Sequence, residues 1–396
     1  SYNWKITQGI AEDHPASARC KQFAEVVAGS GANRYTKHFT AWSQFVVNLY
    51  AQVSGKKSLR DVEAGLRVQQ SCWFHLGLKN ISRSQLAYVN SRRDSKLFQG
   101  LFYRMLDRCL KEAPQNKFRF NGPLKIIDST LVFLCASLFP WARYRKTKGA
   151  LKIHTLLDFQ GTSPQFIVIT HGKKHELKVA RQLARPISPD SILVMDKGYM
   201  DFGWFNELHF RHITFVTRAK ECLHYEILGQ HPRGKDRRLI ADQTVRLKVW
   251  TSRQRYPSNL RLVTWHDDER DHTYTFMTNN FDLPAQTIAD AYKARWEIEI
   301  FFKWIKQNLK IKTFLGTSPN AVMTQIWTAL VYYLLLSYIK FQTRYAFSLL
   351  HFTRVIHEAL FLRTDIIELL KLSPLRCKWP REPDGQRCLF NLQKLY

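Results

Sequence analysis

Apolar positions in this chain change their period more than once. From Arg34 to Lys117 they recur at helical spacing, and Phe39, Trp42, Phe45, Val46 and Leu49 share one face. Ser58-Leu-Arg-Asp-Val-Glu opens a helix with Ser58 as N-cap and Asp61 at the fourth position, a near capping box. A turn around Gly77 follows. Asn80-Ile-Ser82 then caps a second helix that carries Arg83, Arg92 and Arg93. Two short helices, a Gly-bearing turn and a basic second helix suggest a helix-turn-helix-like unit. A plain helical bundle with a solvated basic face fits the same pattern. On the first of these readings 1-120 is expected to be a helical N-terminal DNA-binding domain, with little to read in its first 30 residues.

Near Lys125 the period shifts to that of strands. Leu124-Lys-Ile-Ile-Asp128-Ser-Thr-Leu-Val-Phe-Leu is an apolar strand interrupted by one Asp. Residues 149–159 and 164–170 give two more strands, 175–184 a helix, and 191–195 a strand that ends on Asp196-Lys-Gly-Tyr. A helix over 201–210 and a strand over 213–217 complete the series. Three strands, helix, strand, helix, strand resembles the ribonuclease-H-like order, so 121-217 is expected to be the first part of an α/β core of that class. Residues 218-281 are charged and turn-rich. Val245-Arg-Leu-Lys-Val249 alternates, and Leu260–Trp265 and Thr273–Thr278 flank a polar turn as a hairpin would. This stretch predicts an inserted β subdomain. Residues 282-345 return to helices and close the core, and 346-396 form a smaller helical tail that becomes loop-like near Trp379.

Charge narrows the partners. The chain has 60 Lys and Arg against 32 Asp and Glu, a net charge of +28 spread along its length. Such a balance implies a polyanion, nucleic acid before a membrane surface. The strongest apolar run, Ala329 to Ile339, is too short for a membrane span and predicts a buried core helix. The first residues lack a signal-peptide pattern. Seven cysteines without CxxC pairing suit a reducing cytosol, with neither a disulfide framework nor a zinc site. Ser54-Gly-Lys-Lys-Ser58 lacks the upstream Gly of a P-loop, and no HExxH or GxSxG occurs. The histidines show no metal-ligand spacing.

The candidate chemistry lies in Tyr292-Lys-Ala-Arg-Trp-Glu-Ile-Glu-Ile-Phe-Phe-Lys-Trp-Ile-Lys306, which predicts a single helix. At about 100° per residue, Tyr292, Arg295, Glu299 and Lys306 fall within an arc of roughly 60°. Apolar residues occupy most of the rest, as on a buried helix with one polar stripe. An ordinary i,i+4 pair between Arg295 and Glu299 explains the stripe equally well. Asp128 interrupts one apolar strand and Asp196 closes another. Either alone also suits a turn or cap. Together with Glu299 they make three carboxylates that are costly to bury unpaired. Mg²⁺, which takes carboxylate and phosphate oxygens, would relieve that cost.

Tyr292, Arg295, Glu299 and Lys306 match the Y-(2)-R-(3)-E-(6)-K signature of the insertion-sequence-4 family of DDE transposases. Asp128 in Ile-Ile-Asp-Ser-Thr and Asp196 in Met-Asp-Lys-Gly-Tyr resemble that family's first and second acids. The resemblance covers roughly residues 35 to 345. It implies cleavage of double-stranded DNA at insertion-sequence ends and strand transfer into a target, through a hairpin intermediate. Asp128, Asp196 and Glu299 would be the catalytic acids holding two Mg²⁺, or Mn²⁺ in their place. Tyr292, Arg295 and Lys306 would grip DNA-end phosphates. A flipped base would stack on an aromatic of the inserted domain, for which Trp250 and Trp265 are candidates, though a core role suits each of them better. The resemblance also implies a homodimer on paired ends and a cytoplasmic, nucleoid-associated protein. A catalytically inactive DNA-binding descendant is the alternative, and a nuclease without strand transfer a third reading.

Overall fold

Five helices precede the first strand in the computed structural model, which describes residues 16 to 359 apart from short interior stretches, 113–122 being the longest. They are α1 (Ala16–Ser30), α2 (Ala41–Val53), α3 (Leu59–Val68), α4 (Arg83–Arg92) and α5 (Lys96–Glu112). Capping sets their starts. Thr40, Ser58 and Ser82 accept the backbone N–H of Ser43, Asp61 and Gln85 and begin α2, α3 and α4. A buried polar core ties α2 to α4, with Gln44 Nε2 and Asn48 Nδ2 donating to Asn90 Oδ1 at 2.8 and 3.0 Å.

Arg93 is not one of the basic side chains offered to solvent. Its guanidinium donates to the carbonyls of Ala32 and Phe39 at 2.9 and 2.8 Å and to Gln44 Oε1 at 2.8 Å. Unpaired carbonyls in a folded loop need donors, and a five-donor guanidinium supplies several at once. Arg83 and Arg92 stay exposed.

The strands are β1 (Leu124–Cys135), β2 (Arg143–Arg145), β3 (Lys148–Asp158) and β4 (Ser163–His171), then α6 (Glu176–Ala184), β5 (Ile192–Met195), α7 (Phe202–Phe210) and β6 (Thr214–Arg218). After them come β7 (Tyr225–Gln230), β8 (Leu239–Leu247), α8 (Trp250–Arg255), β9 (Leu260–Asp267) and β10 (His272–Thr278). All ten strands form one mixed sheet, in the order β2-β3-β1-β5-β6-β10-β9-β8-β7, with β4 also on β3. The β1, β3 and β4 ladders are antiparallel, whereas β5 runs parallel to β1 and β6 parallel to β5. The stretch 218–281 adds four antiparallel strands to the same sheet, joined where β10 pairs with β6.

Alternation along the strands divides the core. Ile127, Leu193, Met195 and Phe215 pack against Val179 and Leu183 of α6 and Trp204 and Phe205 of α7. Ile126, Val194 and Val216 face the opposite way, toward α9 (Ala285–Lys293), α10 (Trp296–Asn308) and α11 (Pro319–Gln342). The four residues of β5 are buried on both faces, the pattern of a central parallel strand.

The 22 residues Pro319–Lys340 of α11 are long and apolar enough to cross a membrane, and the helix outruns the apolar segment visible in the sequence. It packs on α2, α4 and α5, and 67% of its apolar window is buried within the protein, as in a core helix. Asn320 Nδ2 donates to the carbonyls of Asn90 and Arg93 and fastens α11 to the helical domain. The last described helix is α12 (Leu349–Ala359). The loop-like region expected near Trp379 lies outside the described residues.

Candidate active site

Strand register brings the first two acids together. Ile127 of β1 pairs with Met195, the last residue of the parallel β5, so Asp128 on β1 lies beside Asp196, the residue that follows β5. By period 2 both share the face of Ile126 and Val194, under α9 and α10. The backbone N–H of Ser129 donates to Asp128 Oδ1 at 2.8 Å.

The third acid arrives on α10, but Tyr292 to Lys306 is two helices rather than one. Tyr292 lies in the last turn of α9, Ala294 and Arg295 form a turn, and Glu299 and Lys306 belong to α10. At the break the bonds tighten to i→i+3, from Arg295 N to Tyr292 O and from Ile298 N to Arg295 O. Local propensity favours one helix here, and the tertiary contacts of Arg295 override it.

Arg295 is the hub. Its Nη1 lies 3.3 Å from Asp128 Oδ2 and its Nη2 2.6 Å from Glu299 Oε1, with the Arg295 side chain 10% exposed. Asp196 has its own partners, as Arg218 Nη2 approaches Oδ1 to 3.2 Å and the Tyr292 hydroxyl donates to it at 3.4 Å. Arg218 sits 5.9 Å from the rings of both Tyr274 and Tyr292.

Burial and crowding decide the charges. Burial pushes the Asp128 carboxyl up to about 6, opposed by the Ser129 N–H and Arg295 and reinforced by Asp196 and Glu299. Burial acts on Asp196 in the same direction, yet the Lys197 N–H, Arg295 and Arg218 hold it below the usual carboxylate range. Tyr292 is pushed up to about 12 by burial, so it is a hydroxyl donor. Burial disfavours charge on Arg295, but Tyr292, Glu299 and Asp128 raise its pKa and keep it charged.

Lys306 stands apart. It is exposed on α10, seven residues beyond Glu299, roughly 10 Å along the helix axis. The structure therefore joins Asp128, Asp196, Glu299, Tyr292 and Arg295 in one network and leaves Lys306 outside it.

Among the described residues, no three His, Cys, Asp or Glu side chains are grouped as ligands around one point. Arg295 stands between Asp128 and Glu299 instead. The donor chemistry still fits a hard divalent ion. All three donors are carboxylates, and the half-buried Asp128 remains poorly compensated despite Arg295.

A cavity of about 300 Å³ opens beside the network, lined by Arg218, Arg238, Trp265, Arg270, Lys293 and Trp296 among others. Trp265 is 6% exposed, with the Arg238 guanidinium 5.0 Å from its ring. Trp296 is 40% exposed, with the Arg270 guanidinium 4.1 Å away. Trp250 is 68% exposed on α8 and does not line this cavity.

Sequence reasoning did not single out Arg218, Trp296, Glu176 or Tyr199, which lie in or beside this region. Arg218 had a readable signal, since it closes an apolar strand as Asp196 does. Glu176 had none, because its partners are distant in sequence.

The transposase DDE domain model matches residues 120–335, and a domain of unknown function matches residues 18–79. A putative transposase of Sinorhizobium fredii is 33% identical over 73% of this chain and 80% of its own length. A probable transposase for insertion sequence element IS5377 of Geobacillus stearothermophilus is 29% identical over 65% of this chain and 68% of its own. The transposase of insertion sequence element IS4 of Escherichia coli is 28% identical over 42% of this chain and 38% of its own. The chain belongs to the DDE transposase family, and within it to the insertion-sequence-4 group. It is a DNA-cleaving transposase by class.

Proposed function

We propose that this transposase cleaves the ends of its insertion sequence and transfers the strand into target DNA, with Asp128, Asp196 and Glu299 as the catalytic acids. The observation that carries the reading is the register that sets Asp128 beside Asp196, with Glu299 linked to Asp128 through Arg295. We read the core as ribonuclease-H-like. In support, β4-β3-β1-β5-β6 has three antiparallel strands followed by two that run parallel to β1. The helical 1-120, the β extension 218-281 and the tail 346-396 are read as separate functional units around that core.

Asp128, Asp196 and Glu299 would hold the divalent ions, two Mg²⁺ or Mn²⁺. Bound there, such ions supply Lewis acidity for in-line phosphoryl displacement. Tyr292, Arg295 and Lys306 are proposed contacts to DNA-end phosphates. Lys306 is exposed for that role. Arg295 and Tyr292 bond carboxylates in this structure, and a phosphate is an anion of similar hydrogen-bonding character that they can take instead. A hairpin intermediate with a flipped base fits the aromatic and cationic cavity beside the acids. The net charge of +28 supports double-stranded DNA as partner. A homodimer on paired ends and a cytoplasmic, nucleoid-associated location complete the reading.

The test is cleavage of cognate end DNA in MgCl₂ by Glu299→Gln. Cleavage is expected to be abolished while end binding in EDTA is retained. Cleavage at the wild-type rate would remove Glu299 from the site.

A further inference from the structure

One acid beside this centre has no role in the reading above. Glu176 opens α6, which packs on β1 and β3. Its Oε1 accepts from Ser129 Oγ at 3.1 Å and from Lys152 Nζ at 2.9 Å. The Lys152 side chain is 11% exposed, so Glu176 is the counter-ion of an ammonium almost removed from water. Ser129 in turn donates its backbone N–H to Asp128 Oδ1 at 2.8 Å. A two-bond relay thus runs from Glu176 through Ser129 to Asp128.

A second observation places Glu176 among the same carboxylates. Tyr199, three residues after Asp196, is 2% exposed, with its hydroxyl turned toward Ser129. Burial first, and then the charges of Asp128, Glu176 and Asp196, push that hydroxyl's pKa up, against the bond to Ser129. The Tyr199 hydroxyl, Ser129 and these acids thus share one neighbourhood, with Glu176 at its edge.

An acid in the first turn of a helix is favourable in itself, through the N-terminal partial charge. That role needs no bond to Ser129 and no buried lysine. We propose that Glu176 is a positioning residue for Asp128, acting through Ser129, an inference that rests on the reading of Asp128 as a metal-holding acid. With Glu176 and Lys152 in place, the Ser129 hydroxyl is held and the peptide that donates to Asp128 is fixed. Without the glutamate charge, Lys152 loses its counter-ion and the Ser129 segment its anchor.

The test uses full-length protein carrying Glu176→Gln, Ser129→Ala or Asp128→Asn. Two properties are titrated with MgCl₂: cleavage of end DNA, and the rise in melting temperature of the protein alone. End-DNA binding in EDTA is measured beside them. Glu176→Gln and Ser129→Ala are expected to bind end DNA as the wild type does. Each is expected to need about tenfold more Mg²⁺ for half-maximal response in both titrations, the scale of loss typical of outer-shell partners. A purely helix-stabilising Glu176 would lower the starting melting temperature and leave the Mg²⁺ midpoint unchanged, which overturns the proposal. A shift in Glu176→Gln with none in Ser129→Ala overturns the relay through Ser129. Should Glu176→Gln fail to fold, Ser129→Ala decides alone. Wild-type cleavage by Asp128→Asn would instead sink the reading of Asp128 itself. An inactive Asp128→Asn beside normal Mg²⁺ midpoints in the other two variants sinks only the positioning role.

Discussion

The Arg295 guanidinium lies 3.3 Å from Asp128 Oδ2, across 167 residues of sequence, and spans from there to Glu299. One cation thereby holds two of the three proposed catalytic acids at once. Removing one partner from a mostly buried pair leaves the other charge uncompensated.

Arg295→Gln is therefore expected to lose about 3 kcal/mol of stability in EDTA, the low end for breaking a buried pair. Urea denaturation measures it. If the three acids take divalent ions, MgCl₂ should restore more stability to the variant than it adds to the wild type. Equal midpoints for the two proteins in EDTA would show that Arg295 is not the counter-ion of this cluster.

The β extension has its own buried pair. Arg261 Nε and Nη2 meet Asp242 Oδ1 and Oδ2 at 2.8 and 2.7 Å, and both side chains are about 5% exposed. Arg261 Nη1 also donates to the Leu283 carbonyl at 2.6 Å, which ties β9 to the segment entering α9. Asp242→Asn is expected to cost about 3–5 kcal/mol, and the double variant Asp242→Leu/Arg261→Met to recover most of it. A double variant as unstable as the single one would mean that the carbonyl contact, not the ion pair, dominates.

Much of this fold was legible because the elements carry strong local signals. The strands through Asp128 and Asp196 are apolar runs of the right length, and Ser58 and Ser82 are N-caps that work as caps. The acids were legible as interruptions of apolar pattern. The break at Ala294–Arg295 was not, since nothing in that composition disfavours a helix and only the distant Asp128 draws Arg295 inward. The joining of 218–281 to the main sheet was equally hidden. An inserted β unit and an extension of the sheet share one alternating pattern, and only the β6–β10 pairing distinguishes them.

Asp201 offers a pH test away from the proposed acids. It caps α7, accepting the Trp204 N–H at 2.8 Å, and pairs with Arg181 at 3.0 Å and Arg255 at 2.5 Å. Burial pushes its carboxyl up, but the Trp204 N–H, Arg255 and Arg181 outweigh it and hold the pKa below the ordinary value. A depressed carboxylate contributes stability above its unfolded pKa of about 4 and loses it as pH falls through the folded value. Asp201→Ala should thus cost about 1–2 kcal/mol at neutral pH, as for a lost N-cap, with the difference from wild type shrinking below pH 4. Chemical denaturation at several pH values checks it, and a gap independent of pH would mean that lost packing, not charge, is responsible.

The two tryptophans at the cavity should behave differently. Trp296 is partly exposed and carries Arg270 on its face, so a nucleobase can replace or sandwich that cation without disturbing the core. Stacking of a base on an aromatic is worth about 1–3 kcal/mol. Trp296→Ala is expected to weaken binding of end DNA about tenfold at fixed salt, with little loss of stability. Trp265 is buried in the β9 wall, so its alanine variant should lose about 3–5 kcal/mol of folding stability before any effect on DNA is seen. Trp250→Ala, exposed on α8 away from the cavity, should leave both properties unchanged. Fluorescence anisotropy on labelled end DNA and thermal melts separate the three. Wild-type affinity in a folded Trp296→Ala protein would take this cavity out of the DNA-binding surface.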